Sequence, residues 1–315
     1  MNVKQFLDQK KSRRALTAAA AAAVLSLSLA ACGSGGGDGM AGMHHGGASA
    51  SAGASASAGD GMAGMDHGGG ADATAASDGL SAEQGGYRLN SGQASLPAGS
   101  PTEYRFTVTG PDGKALTAFE PEQTKQMHFY AIRSDLSGFQ HLHPQMAADG
   151  TWTAPLAALK PGDWRVYASF VPGAGSGKGN GLVLSRTVTV AGDAAEAPLP
   201  AAAASTTVDG YTVTVEGVLR AGTAGGLTVT VSRDGNPVAD LQPYLETYAH
   251  LTAFHAGDRA FAHLHPESKA TPDGRGGPML AFHAELSKPG DWRLFLQFQT
   301  GGTLHTAELT LTVRG

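Results

Sequence analysis

Six of the twelve histidines in this 315-residue chain fall into two triplets with matching spacing: His128, His141 and His143, then His250, His263 and His265. Residues i and i+2 of a β-strand project from the same face. Each His-x-His pair therefore presents two imidazoles side by side if it lies on a strand. The third histidine precedes the pair at hairpin distance. With turns around Asp135-Leu136 and around Gly257-Asp258, paired residues sum to 271 in the first copy and to 515 in the second, so His128 faces His143 and His250 faces His265. Cross-strand neighbours lie about 5 Å apart and diagonal ones about 7–8 Å. Three imidazoles on such a patch can converge on one cation at about 2.0–2.1 Å per bond. A slip of one residue would send them to opposite faces. The same triplets also suit a hydrogen-bonded network without metal, and both readings stand at this level.

A second group of ligand-type residues lies upstream. Met40, Met43, His44 and His45 recur in register as Met62, Met65 and His67, giving two near-copies of Met-x-x-Met-x-His inside Gly/Ala/Ser sequence. Thioether sulfur with imidazole favours copper, Cu(I) above all, over hard cations. Three imidazoles suit Cu(II) and Zn(II) equally well, so the Met/His runs tip the expected metal to copper, with zinc the alternative. Met127 and Met146 flank the first triplet, but the second copy has Ala249 and Lys269 in their places, so Met127 is expected in the core. His283, His255 and His305 have no counterpart in the first copy; His283 is the best further ligand candidate, and His255 should point away from His250.

The N-terminus carries an address. Lys4, Lys10, Lys11, Arg13 and Arg14 precede an apolar run over residues 15–30, which is signal-peptide length and short for a membrane span. Leu29-Ala30-Ala31-Cys32 follows and resembles a bacterial lipobox, which implies cleavage before Cys32 and lipid attachment to it. Acyl chains hold a protein at a membrane with about 0.8 kcal/mol per buried CH₂. Cys32 is the only cysteine, which excludes an internal disulfide and a thiolate metal cluster. Without residues 1–31 the chain keeps 17 basic and 26 acidic side chains, a net charge of −9, a poor match to nucleic acid.

The elements that must position the triplets repeat as well. Residues 113–144 align with 235–266 at an offset of 122, and Lys160-Pro161-Gly162-Asp163-Trp164-Arg165 matches Lys288-Pro289-Gly290-Asp291-Trp292-Arg293 at an offset of 128. The second copy therefore carries about six extra residues near 267–279. Runs such as Tyr104–Val108, Trp164–Phe170, Leu182–Val190, Tyr211–Val215, Leu227–Val231, Trp292–Phe298 and Leu309–Val313 are β-rich and separated by Gly, Pro, Asp and Asn turns. This pattern predicts an all-β chain of two tandem immunoglobulin-like sandwiches. The expected divisions are a leader at 1–31, a disordered tether at 32–86, sandwiches at 87–192 and 206–315, and a linker at 193–205. Trp164 and Trp292 are expected to plug the two cores.

The repeated His…Phe-x-His-Leu-His-Pro…Pro-Gly-Asp-Trp-Arg pattern, spanning most of 103–190 and 227–313, is similar to YtkA-like immunoglobulin-type modules of exported bacterial proteins. That resemblance implies a β-sandwich, an envelope location and an association with copper or heavy-metal handling. It carries no established catalytic residues.

Together these features predict a lipoprotein anchored through Cys32 that binds copper for storage, delivery or resistance and exchanges it with another envelope protein. The alternative is a non-catalytic structural or adhesive display module. No enzymatic activity is expected: no Ser-His-Asp order, phosphate loop or dinucleotide fingerprint occurs, and Glu120, Glu122, Glu246 and Glu267 lie near the triplets without a motif to place any of them as a base.

Overall fold

The computed structural model describes residues 78–315; the leader, Cys32 and the ligand candidates Met40, Met43, His44, His45, Met62, Met65 and His67 lie outside the described residues. The described residues are all-β, without a helix, and form two tandem sandwiches.

In the first, β1 (Glu83–Gln84), β2 (Tyr87–Asn90), β3 (Ser95–Leu96), β4 (Thr102–Thr109), β5 (Phe119–Glu120), β6 (His128–Arg133), β7 (Gln140–Leu142), β8 (Gln145–Met146), β9 (Trp152–Leu156), β10 (Gly162–Pro172) and β11 (Leu182–Val190) follow in chain order. One sheet has the order β1-β2-β4-β9-β8 and the other β3-β11-β10-β6-β7, with β5 added to β10. That is the four-strand and GFCC′ division of an immunoglobulin-like sandwich, and β3 runs parallel to β11 at one edge. Strand β4 shows why these residues make a sheet: Tyr104, Phe106 and Val108 point into the core while Glu103 and Arg105 face water.

The second sandwich comprises β12 (Ser205–Val208), β13 (Tyr211–Glu216), β14 (Ala224–Arg233), β15 (Asn236–Pro237), β16 (Ala249–His255), β17 (Phe261–Pro266), β18 (Met279–Glu285), β19 (Gly290–Thr300) and β20 (Thr303–Val313). Here the extra residues change the topology. The counterpart of β8 is gone, and β17 runs three residues longer than β7 and pairs with β18. The two layers thereby join into one curled sheet, β12-β13-β14-β18-β17-β16-β19-β20, with β15 on β14. Its two ends meet where the Ala203 amide donates to Thr310 O at 3.0 Å.

Both hairpins adopt the expected register. Phe129 pairs with Leu142 and Tyr130 with His141; Leu251 pairs with Leu264 and Thr252 with His263. Trp164 and Trp292 are buried in the two cores, and their indole N–H groups donate to Lys160 O and Lys288 O at 2.9 and 3.0 Å.

Strands β6 and β16 do not alternate, and every residue of β6 is buried. A strand buried on both faces needs a second partner layer, and each finds it in the other sandwich. A third apolar cluster, separate from the two cores, joins Tyr130, Ile132, Leu136 and Tyr167 to Phe254, Phe261 and Phe295. Phe139 stacks on Phe295 at 4.3 Å, and its repeat equivalent Phe261 stacks on Tyr167 at 5.4 Å. The two GFCC′-type faces thus meet with approximate two-fold symmetry.

The folded region begins before the expected boundary at 87. Asp78 O accepts from the Phe261 amide, Ser81 O accepts from the Ser185 amide, and Lys288 pairs with both Asp78 (3.1 Å) and Asp258 (2.5 Å). Leu80 packs on the second core. The Gly/Ala/Ser composition masked these few anchoring side chains. The linker is likewise tied down: buried Arg133 donates to Ala195 O, and the Ala197 amide donates to Asp135.

Candidate metal centre

Where the GFCC′-type faces meet, the two triplets come together in one inter-sandwich cluster. His128 opens β6 on the buried face, and His141 and His143 sit on and just after β7. One ring nitrogen from each of His128, His141 and His143 lies within 4.8 Å of the others. Ligand nitrogens of a tetrahedral site stand roughly 3.3–3.4 Å apart, from bonds of about 2.0–2.1 Å. The first triplet is therefore close to a coordinating arrangement before any metal enters.

The hydrogen bonds sharpen this. His128 Nε2 lies 3.0 Å from Glu122 O, a carbonyl that can only accept, so Nε2 carries the proton and Nδ1 the lone pair. His141 Nδ1 lies 2.7 Å from Gln297 Oε1 of the second sandwich; with the amide placed this way, Nδ1 donates and Nε2 keeps its lone pair. The two remaining nitrogens, His128 Nδ1 and His141 Nε2, face each other at 3.1 Å. Two lone pairs at that distance repel unless a cation is shared between them. Ligating imidazoles characteristically donate their outer N–H to a carbonyl or carboxylate, which is the pattern here. His143 Nε2 is buried beside them without a hydrogen-bond partner.

The protonation states agree. Burial, against the hydrogen bond that His128 donates to the Glu122 carbonyl, pushes His128 below the ordinary imidazole value. Burial, then repulsion by His128, pushes His141 well below it and His143 down to about 3. All three are neutral at pH 7, the ligating form. Tyr130 covers the cluster from below, stacked on His141 at 4.4 Å.

The second triplet does not close in the same way, which corrects the expectation of two equal three-histidine clusters. His263 and His265 stay together, with ring centres 5.3 Å apart, but the third group within 4.8 Å is Glu122 of the first sandwich, not His250. His250 lies instead between the halves, 6.4 Å from His128, 5.9 Å from His141 and 6.0 Å from His263. Burial, then repulsion by His128, lowers His250 to about 4, against the backbone groups of Tyr244 and Leu245, which raise it. Burial, then His250, drives His263 well below the usual value.

The remaining candidates separate cleanly. His283 is exposed on β18 directly opposite His265. His255 bonds Asp258 at 2.8 Å and Pro289 O at 3.2 Å, on the turn side of its hairpin. His305 is buried between Asp209 and Thr300, at 2.8 and 2.9 Å, and serves packing. Met127 is core, and Met146 packs against the same core. Gln297, missed at the sequence level, left a signal: it interrupts the apolar run Leu294–Phe298, where a buried polar side chain needs a partner. Glu122 left none, because the other sandwich gives it its place.

Two segments, 82–188 and 206–315, match the family model described as a domain of unknown function (DUF8832). The comparison with curated proteins gave no match. Among solved structures, the chain is similar to a DUF4426 family protein from Pseudomonas aeruginosa, at 11% identity over 35% of this chain and 96% of that one, with a TM-score of 0.26. It is also similar to the Escherichia coli adhesin FdeC, at 17% identity over 73% and 64% of the two chains, with a TM-score of 0.23. The N-terminal Ig1-2 module of the Drosophila receptor protein tyrosine phosphatase DLAR follows, at 10% identity over 73% and 99%, with a TM-score of 0.21. At these scores the likenesses carry nothing about this chain's chemistry.

Proposed function

The chain belongs to the DUF8832 family through both of its sandwiches, and from that premise we propose that it is a copper-binding protein of the bacterial envelope that holds the metal between those sandwiches. The observation that carries the reading is the approach of His128 Nδ1 and His141 Nε2 to 3.1 Å, with the outer ring nitrogen of each placed on an oxygen. His143 supplies the third nitrogen.

The metal contributes a positive charge that satisfies these nitrogens at once; the protein contributes three preoriented neutral donors. Copper over zinc rests on the upstream Met/His runs, whose thioethers suit Cu(I). The YtkA-like resemblance of the repeat agrees with metal handling, and the lipobox-like Leu29-Ala30-Ala31-Cys32 supports a lipid anchor at a membrane, where a metal-exchange partner is expected.

Titration of the full chain with copper against a chromophoric competitor tests this. The expected dissociation constant is well below 10 μM, about −7 kcal/mol. His141→Ala should weaken it by at least about 100-fold. A wild-type affinity no tighter than about 10 μM removes the proposal. Lipidation is tested separately: Cys32→Ala should move the protein from the membrane to the soluble fraction.

A further inference from the structure

The cleft beside the first triplet holds a second constellation with a different donor set. Glu122 comes from the loop before β6 of the first sandwich, and His263 and His265 come from β17 of the second. One ligand atom from each lies within 4.8 Å of the other two. Glu122, His263, His265 and His283 all line one cleft of about 380 Å³. We propose that these three residues form a second, inter-sandwich metal site for a divalent cation, Zn(II) or Cu(II), with His283 as a further donor, and that the bound ion clamps the two sandwiches together.

Four observations support this. Among the described residues the half-buried Glu122 carboxylate forms no ion pair with Lys or Arg, although Lys125 sits three residues on. His263 Nε2 is buried with no hydrogen-bond partner. His265 and His283 are directly paired across β17 and β18, so their side chains leave the sheet on the same side. That pairing exists only because β17 runs on past the point where β7 ends, a feature of the second sandwich alone. Two imidazoles with one carboxylate leave open positions and suit borderline divalent ions, with no soft donor to hold Cu(I). The three-nitrogen first cluster differs in carrying no carboxylate. Because the carboxylate and the imidazoles belong to different sandwiches, no single domain contains this site.

The site shares no side chain with His128, His141 and His143, so the two proposals fail independently. Metal-free full chain is titrated with Zn(II) against a chelating indicator, as wild type, Glu122→Gln, His265→Ala, the double variant and His141→Ala. Glu122→Gln and His265→Ala should each lose the same single zinc equivalent, or weaken it at least about tenfold, and the double variant should lose no more than either. His141→Ala should retain that equivalent. Glu122→Asp, whose carboxylate is shorter but intact, should show intermediate affinity and guards against a folding defect, which melting of the metal-free variants reports. The clamp is read by hydrogen exchange: Zn(II) should slow exchange in both 121–125 and 261–266 in wild type and in neither in Glu122→Gln. Zinc stoichiometry and affinity unchanged within about twofold in Glu122→Gln overturns the site, and protection confined to 261–266 overturns the clamp.

Discussion

In the first sandwich His128, His141 and His143 turn their ring nitrogens toward one another; in the second, the equivalent His250, His263 and His265 do not, although the hairpin register is the same. The difference comes from the neighbours. The Glu122 carbonyl accepts from His128 Nε2 at 3.0 Å; the equivalent Tyr244, whose backbone also acts on His250, in addition sets its ring edge-on to that imidazole at 5.4 Å. Gln297 reaches across to anchor His141 at 2.7 Å; its counterpart on β10 is Ser169, too short to do the same for His263. The longer β17 then pairs His265 with His283. Duplication copied the ligand types, and the outer shell and the strand ends decided which of them coordinate.

The largest break in this comparison comes from separating the halves. Phe295→Ala removes a fully buried ring that stacks on Phe139, and chemical denaturation should show a loss of about 3–5 kcal/mol. A loss below about 1 kcal/mol would mean that the inter-sandwich cluster does not hold the two faces together.

Acid should act on both halves of the metal-free protein. His250 stands at about 4 and His143 at about 3 when folded, each below the ordinary imidazole value of about 6.5. The unfolded chain then takes up protons first as pH falls, so the stabilisation is complete above about pH 6.5 and drains between there and pH 3–4. For buried His250 that amounts to on the order of 3 kcal/mol. Urea midpoints measured at pH 7.5, 6, 5 and 4 should decline steadily, and a flat series contradicts the neutral, buried assignment.

Unequal ligand effects sharpen the contrast. His128→Ala should cost at least about 100-fold in copper affinity, and His250→Ala less than about tenfold. Equal losses would restore a symmetric six-histidine site. A smaller effect isolates the anchor: Gln297→Leu should weaken copper by about 10–100-fold, and Ser169→Ala should leave it unchanged.

Much of this was legible in the chain. The periodicity and the His-x-His pattern gave the hairpins their register, because a one-residue slip would have moved Phe129 and Leu251 from the core face to the inter-sandwich face and scattered the imidazoles. The buried tryptophans followed from the repeated Pro-Gly-Asp-Trp turns. What escaped was how the halves dock. The clue was present in β6 and β16, whose apolar runs do not alternate, but such runs say only that a second layer exists and not which one. Glu122 acquires its role from a strand far along the chain, and no local spacing encodes that.

The central claim is that the first sandwich alone converges three imidazoles on one copper ion. X-ray absorption of the full chain loaded with one equivalent of Cu(II) addresses it directly. The account predicts a shell of three nitrogens near about 2.0 Å with imidazole scattering, lost in His128→Ala/His141→Ala; a shell of sulfur near about 2.3 Å that persists in that variant contradicts it.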